Sequence, residues 1–151
     1  MADYAGGYGN IDVINYFMQD HKDIVERSIL RHGRLDIARI HKWPDLLPRY
    51  YFYSVGLSGN SDFIKYITMM LSGQVIPYTR VFEGVCKSGK MSVVFEYAEY
   101  LSVDVALQRA CGELNKDQYI LLIEYYGTRI DALPDTSKEA LQRYKSTYGI
   151  D

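Results

Sequence analysis

The imidazole and thiol side chains are the first candidates for metal ligation or nucleophilic catalysis, and the chain has five of them: His21, His32, His41, Cys86 and Cys111. No histidine has another His, Cys or acid at metal-ligand helical spacing beyond what chance gives, and two cysteines cannot form a four-ligand zinc site. A cysteine nucleophile would also need a base beside it and an environment that activates the thiol. We therefore expect no bound metal ion and no catalytic residue.

The sequence Ser88-Gly89-Lys90 invites comparison with a phosphate-binding loop. It lacks the upstream glycine of the Walker pattern, and the segment before it has the periodicity of a helix rather than a strand. The acid pair Glu96 and Glu99 lies on one helix face without the features of a pocket, so nothing supports a glycosidase-like role. We expect no cofactor and no enzymatic activity.

Composition narrows the class of protein further. The chain has 151 residues, a net charge of −2, 48% hydrophobic and 24% charged residues. These values predict one globular domain and disfavour nucleic-acid binding. The chain has no apolar run long enough to span a membrane, we expect no signal peptide, and the two cysteines favour a reducing compartment, the cytoplasm.

The elements that carry these residues come from a repeated motif. A small or apolar pair, two variable residues and a glycine precede an apolar run, with glycines at 9, 33, 59 and 89. Apolar residues then recur at helical spacing, with an acid three residues after the glycine at Asp12, Asp36 and Asp62 and Ser92 in the fourth copy. The motif predicts one helix, a turn with a positive φ at the glycine, and a second helix.

Capping residues and prolines agree with this register. Asn10 and Asn60 are expected N-caps, and the four prolines lie outside both sets of helices. A fifth unit lacks its glycine, with its helices at 106–111 and 119–126. A last helix begins near Ala140, and Thr136 and Glu139 are expected to form its capping box.

The pattern resembles the ankyrin repeat, and Val85-Cys86-Lys87-Ser88-Gly89-Lys90-Met91-Ser92-Val93-Val94 matches its core register. The Thr-Pro-Leu-His signature is absent and the glycine spacings are shorter than usual, so β-hairpin fingers are expected to be short or absent. The tyrosine-rich units look most like those of large double-stranded DNA viruses. That resemblance implies a viral protein that engages a host regulatory protein in the host cytoplasm or the virion.

We therefore predict an all-α fold: an ankyrin-like α-solenoid of about five helix pairs and a C-terminal capping helix. Residues 1–151 form one domain with units at 1–20, 21–44, 45–73, 74–103 and 104–131 and a cap at 132–151. The predicted function is a non-catalytic protein–protein interaction module with another protein as partner. The expected contact residues are Arg31, His32, Trp43, Tyr51, Tyr53, Lys87 and Arg109.

Two other functions remain open at this point. The chain could be an assembly component of a particle or homo-oligomer, which would require an exposed apolar, tyrosine-rich face. It could also be a small helical enzyme or ligand-binding domain, which would require a deep pocket with perturbed titrating groups.

Overall fold

A computed structural model describes residues 1–71 and 73–151, and the protein is all-α. Within these residues there are ten α-helices and no strand. The helices are α1 Ala2–Tyr8, α2 Ile11–Arg31, α3 Leu35–Ala38, α4 Tyr51–Leu57, α5 Ser61–Met70, α6 Tyr78–Ser88, α7 Met91–Ala98, α8 Val103–Ala110, α9 Lys116–Tyr126 and α10 Asp135–Thr147. The prediction of an all-helical fold is confirmed.

Six of the helices form a continuous row. Along it, α1 contacts α2, α2 contacts α4, α4 contacts α6, α6 contacts α8, and α8 contacts α10. We call these helices the first row. The intervening helices α3, α5, α7 and α9 each contact the first-row helix before them, so the chain is built as successive helix pairs.

The long helix α2 joins the first two motif copies without a loop. His21 has non-helical backbone angles, φ −133° and ψ 37°, and it kinks the helix at that point. The half after the kink packs closely against α1, where Gly6 lies beside Val25 and Ser28. The second half of α2 therefore belongs to the first row.

Three of the four motif glycines adopt the predicted positive φ: 62° at Gly33, 55° at Gly59 and 75° at Gly89. The prediction is wrong for Gly9, which has an extended backbone with φ −68° and ψ 155°. A Cβ at Gly9 would lie 2.5 Å from the Ala5 carbonyl oxygen, so close approach rather than chain reversal explains this glycine. In the fifth unit Gly112 adopts φ 89° and supplies the left-handed turn residue.

The predicted N-caps are confirmed at two helices. The Asn10 side chain accepts a hydrogen bond from the Val13 amide, and Asn60 accepts one from the Phe63 amide, both at 3.0 Å. Asn115 forms a full capping box with Gln118 that the sequence prediction missed.

The predicted capping box at Thr136 is wrong. Helix α10 begins at Asp135, directly after Pro134, so Thr136 lies inside the first turn and makes no capping bond. Proline fixes φ near its helical value, so it sets the start of this helix without a side-chain cap. All four prolines lie outside the helices, as expected.

Helices α4 and α6 approach each other until their backbones touch. A Cβ added to Gly56 would lie 2.1 Å from the Val81 carbonyl oxygen, and one added to Gly84 would lie 2.1 Å from that of Tyr53. No larger residue fits at either position without a shift of the helices. Among the helices of residues 1–71 and 73–151, none has the length and apolarity needed to cross a membrane.

Candidate partner-binding surface

An open groove crosses three consecutive first-row helices, α1, α2 and α4. Its volume is about 270 Å³, and its lining combines two arginines, one acid, aliphatic side chains, serines and a tyrosine: Asp3, Ile24, Arg27, Ser28, Arg31, Tyr53, Ser54 and Leu57. Each lining helix belongs to a different motif copy, so the groove exists only because the copies are stacked.

Both groove arginines are held by acids yet remain accessible. Arg31 donates to Asp3 at 2.6 Å, and Arg27 donates to Asp23 at 3.0 Å. The hydrogen bond from Arg31 lowers the pKa of Asp3, which therefore stays ionised. Because 43% of the Arg27 side chain and 42% of the Arg31 side chain remain exposed, both guanidinium groups can still meet a partner.

The same face continues across α6 and α8. The buried Glu83 accepts hydrogen bonds from Arg80 at 3.0 Å and from Arg109 at 2.9 Å. One carboxylate therefore links the two helices. Lys87 lies exposed one turn after Glu83. Tyr53 makes a long contact of 3.5 Å between its hydroxyl group and Glu113.

Five of the seven predicted contact residues lie on first-row helices, and four of these keep exposed or half-buried side chains: Arg31, Tyr53, Lys87 and Arg109. The other three have mainly structural contacts. His32 is half-buried, with Nδ1 2.9 Å from the Ser28 carbonyl oxygen. Its ring occupies the space that Gly7 leaves free.

Trp43 and Tyr51 also face inward. The Trp43 Nε1 group donates to the Ala38 carbonyl oxygen at 2.9 Å, and its ring packs edge-on against His41. Tyr51 is 4% exposed and donates its hydroxyl proton to Glu26 at 2.8 Å. A surface role therefore does not hold for Tyr51, because its position on α4 points into the core.

Sequence reasoning missed a polar cluster around Glu26. This carboxylate is 2% exposed and binds His41 Nε2 at 2.8 Å, the Tyr51 hydroxyl at 2.8 Å and Lys22 at 3.8 Å. Burial acts to raise the pKa of Glu26, but the hydrogen bonds from His41 and Tyr51 outweigh it and the pKa is lowered. Glu26 is therefore a paired carboxylate that ties α2 to the 39–50 segment and to α4.

The cluster was hidden because its members are far apart in the sequence. His41 and Tyr51 follow Glu26 by 15 and 25 residues. The one available signal was a charged residue directly after Val25 and near Ile29, on the apolar side of its helix. A charge at such a position is rarely left without a partner.

An open cavity of about 280 Å³ borders this cluster on the side of the 39–50 segment. It is lined by His41, Trp43, Pro44, Asp45, Met70 and Leu71. His41 and Asp45 are its titratable groups, and His41 is already hydrogen-bonded to Glu26. The cavity is therefore a shallow depression at the edge of the core.

The two cysteines have the environment of packing residues. Cys86 is buried, Cys111 is half-buried, and both carry free thiols. Burial raises the pKa of each thiol, most strongly for Cys86, so both remain protonated near neutral pH. A protonated thiol is a poor nucleophile.

Comparison with protein-family models, with curated proteins and with solved structures gives no match for this chain.

Proposed function

We propose that the protein is a non-catalytic protein–protein interaction module whose partner binds along the first-row helices. The observation that carries this proposal is the groove across α1, α2 and α4, because three successive motif copies contribute to it. Stacked repeats characteristically bind through such extended surfaces, and no single repeat could form one alone.

The arrangement of the helices supports an ankyrin-like α-solenoid as the finer description of the fold. Each of the first-row helices α2, α4, α6 and α8 is followed by a short turn and then by a second helix packed against it. Left-handed glycines occupy four of these turns, at Gly33, Gly59, Gly89 and Gly112. In this proposal about five helix pairs form the stack, α10 closes its C-terminal end, and helix-to-helix segments take the place of β-hairpin fingers.

The chemistry of the groove suits a folded or extended protein segment. Tyrosine and arginine are enriched among the residues that dominate binding energy, and Arg27, Arg31 and Tyr53 are all partly accessible. Because the groove lies on packed helices, little ordering is needed when a partner binds. The viral resemblance of the repeats extends this proposal to a host regulatory protein as the partner.

The test compares partner capture by matched variants. The wild-type chain, the groove variant Arg27→Ala/Tyr53→Ala and the control variant Arg143→Ala/Tyr100→Ala would each be used to capture proteins from native cells at near-physiological salt. The control residues are exposed and lie outside the groove. Circular dichroism would first establish that all three chains are folded.

We expect wild type and control to capture the same protein and the groove variant to bind it at least about 30-fold more weakly, the loss typical of a hot spot. Titration calorimetry with the purified partner would measure that ratio. Equal binding by the groove variant, or the absence of any captured protein, would overturn the proposal.

A further inference from the structure

Residues 41–50 form a loop whose two ends are tied to the same helix. At one end His41 Nε2 lies 2.8 Å from the Glu26 carboxylate, and at the other end the Tyr50 hydroxyl group donates to Asp23 at 2.8 Å. Asp23 and Glu26 are three residues apart on α2, so one turn of that helix holds both arms of the loop. The residues between the arms therefore project from α2 as a surface loop.

The middle of this loop contacts a second surface segment, residues 73–76. The Leu47 amide donates to the Gln74 side chain at 2.9 Å, and the Gln74 side chain donates back to the Leu47 carbonyl oxygen at 2.8 Å. Leu47 is buried, but its neighbour Leu46 is 68% exposed, and Val75 beside Gln74 is 93% exposed. The paired hydrogen bonds thus bring two exposed aliphatic residues to the same edge of the molecule.

The end of α5 extends this apolar surface. Met69 is 74% exposed, and Met70 lines the same cavity as Trp43, Pro44 and Asp45 of the loop. Single exposed apolar residues are common on protein surfaces, whereas a contiguous group of them marks a site of contact with a protein or a membrane. We call this group the apolar tip: Leu46, Met69, Met70 and Val75.

Cations surround the apolar tip and keep their charge available. Arg39, Lys42 and Arg49 are exposed, and none of them forms an ion pair within residues 1–71 and 73–151. Lys42 and Arg49 lie on the two arms of the loop, so they flank the tip. The Arg39 guanidinium lies 5.9 Å from the centre of the Tyr66 ring on α5, the helix that carries the methionines of the tip.

Acids are scarce in this part of the chain. The 39–50 segment has three cations and one acid, Asp45, and residues 63–82 contain no acid. The acids at the base of the loop, Asp23 and Glu26, are already hydrogen-bonded within the protein. The tip is therefore positively charged in a chain whose net charge is −2, and Asp45 is the acid that lowers this charge.

These features match an anionic membrane surface. Exposed aliphatic side chains leave water when they enter the boundary between headgroups and acyl chains, and flanking Lys and Arg residues are attracted by acidic lipids. A single-stranded nucleic acid would stack its bases on aromatic rings, whereas the tip consists of Leu, Met and Val. The tip also projects from the surface, and the cavity beside it is a shallow depression, so it offers little to enclose a peptide.

We propose that the protein binds the surface of an anionic membrane through the apolar tip and the flanking residues Arg39, Lys42 and Arg49. Binding of this kind needs no membrane-spanning helix, because the apolar side chains enter only the headgroup boundary. The site shares no residue with the groove across α1, α2 and α4, so it is a second surface that is independent of the proposed partner site.

The test uses vesicles of defined composition. The 151-residue chain would be titrated with phosphatidylcholine vesicles that contain about 30% phosphatidylserine and with vesicles of phosphatidylcholine alone. Cosedimentation measures binding, and quenching of Trp43, the single tryptophan, by brominated lipids reports contact at the tip. We expect at least about 10-fold tighter binding to the anionic vesicles, and weaker binding as the salt concentration is raised.

Charge variants test the flanking cations. Lys42→Glu/Arg49→Glu should weaken binding to the anionic vesicles at least about 30-fold. The control Lys90→Glu/Arg143→Glu makes the same change in net charge at exposed positions away from the tip and should weaken binding by less than about 3-fold. Asp45→Asn should strengthen binding about 3-fold, because it removes the acid beside the tip.

A second pair of variants tests the apolar residues. Leu46→Ser/Val75→Ser should weaken binding to the anionic vesicles at least about 10-fold, because it removes the aliphatic groups that enter the membrane. Tyr16→Ser/Leu121→Ser changes two exposed apolar residues elsewhere and should leave binding unchanged. Circular dichroism would first establish that every variant is folded.

Three outcomes would overturn the proposal. They are equal binding to both kinds of vesicle, binding that survives the substitutions at the tip and its flanks, and no binding to either kind, which would leave the tip to a protein partner. Binding of a single-stranded oligonucleotide in place of vesicles would also overturn it. Since none of these substitutions touches the groove, failure of the membrane proposal leaves the partner-binding proposal standing, and the reverse is also true.

Discussion

Glu26 is the residue whose environment differs most from its sequence context. It follows the buried Val25 and lies one turn before Ile29 on α2, and its two carboxylate oxygens are bound by His41 and Tyr51. A buried carboxylate loses its hydration, and the two hydrogen bonds replace it. The packing of α2 against α4 and the 39–50 segment therefore depends on the hydrogen bonds of Glu26, although the surrounding contacts are apolar.

Removing this carboxylate should weaken the fold strongly. We expect Glu26→Ala to lower the free energy of unfolding by about 3 kcal/mol, because it leaves His41 and Tyr51 without their partner. Tyr51→Phe removes one hydrogen bond and keeps the ring, so about 1 kcal/mol is expected. Urea unfolding followed by circular dichroism measures both, and equal losses would contradict this account of Glu26.

The same carboxylate should make stability depend on pH. Its pKa is lowered in the folded protein, so its contribution is complete above the ordinary glutamate value and is lost as the pH falls through the lowered value. Other carboxylates with lowered pKa values, such as Asp3 and Glu96, add to the wild-type slope. We therefore expect Glu26→Gln to flatten, but not abolish, the loss of stability between about pH 5 and pH 3, as measured by urea midpoints.

At the scale of elements, glycine fixes the distance between α4 and α6. Gly56 and Gly84 face each other across that contact, and no Cβ fits at either position. We expect Gly56→Ala or Gly84→Ala to reduce the free energy of unfolding by about 3 kcal/mol through overpacking. The matched control is Gly73→Ala, where a new Cβ meets nothing within 4 Å and the stability should change little.

Helix starts give a second test at this scale. Asn115 caps α9 through a capping box, whereas Thr136 makes no capping bond to α10. Asn115→Ala should cost about 1 kcal/mol and Thr136→Ala close to nothing. Thermal unfolding of both variants distinguishes them, and a loss at Thr136 comparable to that at Asn115 would restore the capping box that the sequence suggested.

The helices were predictable because their signals are local. Apolar spacing, the positions of the prolines and Asn10 and Asn60 locate the helices within a few residues. Gly9 and Thr136 were misassigned because the same residue type serves two purposes: glycine permits close approach as well as a left-handed turn, and threonine suits the first turn as well as the cap. Only the three-dimensional neighbours decide between these uses.

For the molecule as a whole, stability should vary along the stack. Within the described residues of α10, Leu141 is the one fully buried side chain, and Tyr148 adds hydrogen bonds to Gly112 and Leu114. We expect amide hydrogen exchange to be faster in α10 than in α4 and α6, and Leu141→Ala to accelerate it there first. Exchange measured by mass spectrometry would contradict this if α10 and α6 opened together.

The candidate surface was predictable only in part. Arg31, Lys87 and Arg109 follow from the repeat register, because aligning the units by their glycines places them on one face of the first row, whereas Tyr53 was predicted from the aromatic residues that follow the central linker. Tyr51 and the Glu26 cluster did not, because their contacts join residues that are distant in the chain. A repeat predicts which positions are equivalent, whereas the burial of each depends on neighbours that the repeat does not specify.

The kink at His21 has a mechanical consequence. The two halves of α2 meet at His21 without a loop, so the first motif copy is joined to the second through one non-helical residue. The 39–50 segment contains no helix and joins the second copy to the third. Under tension along the chain, we expect the segment between residues 39 and 50 to extend first, while the first two motif copies stay packed together.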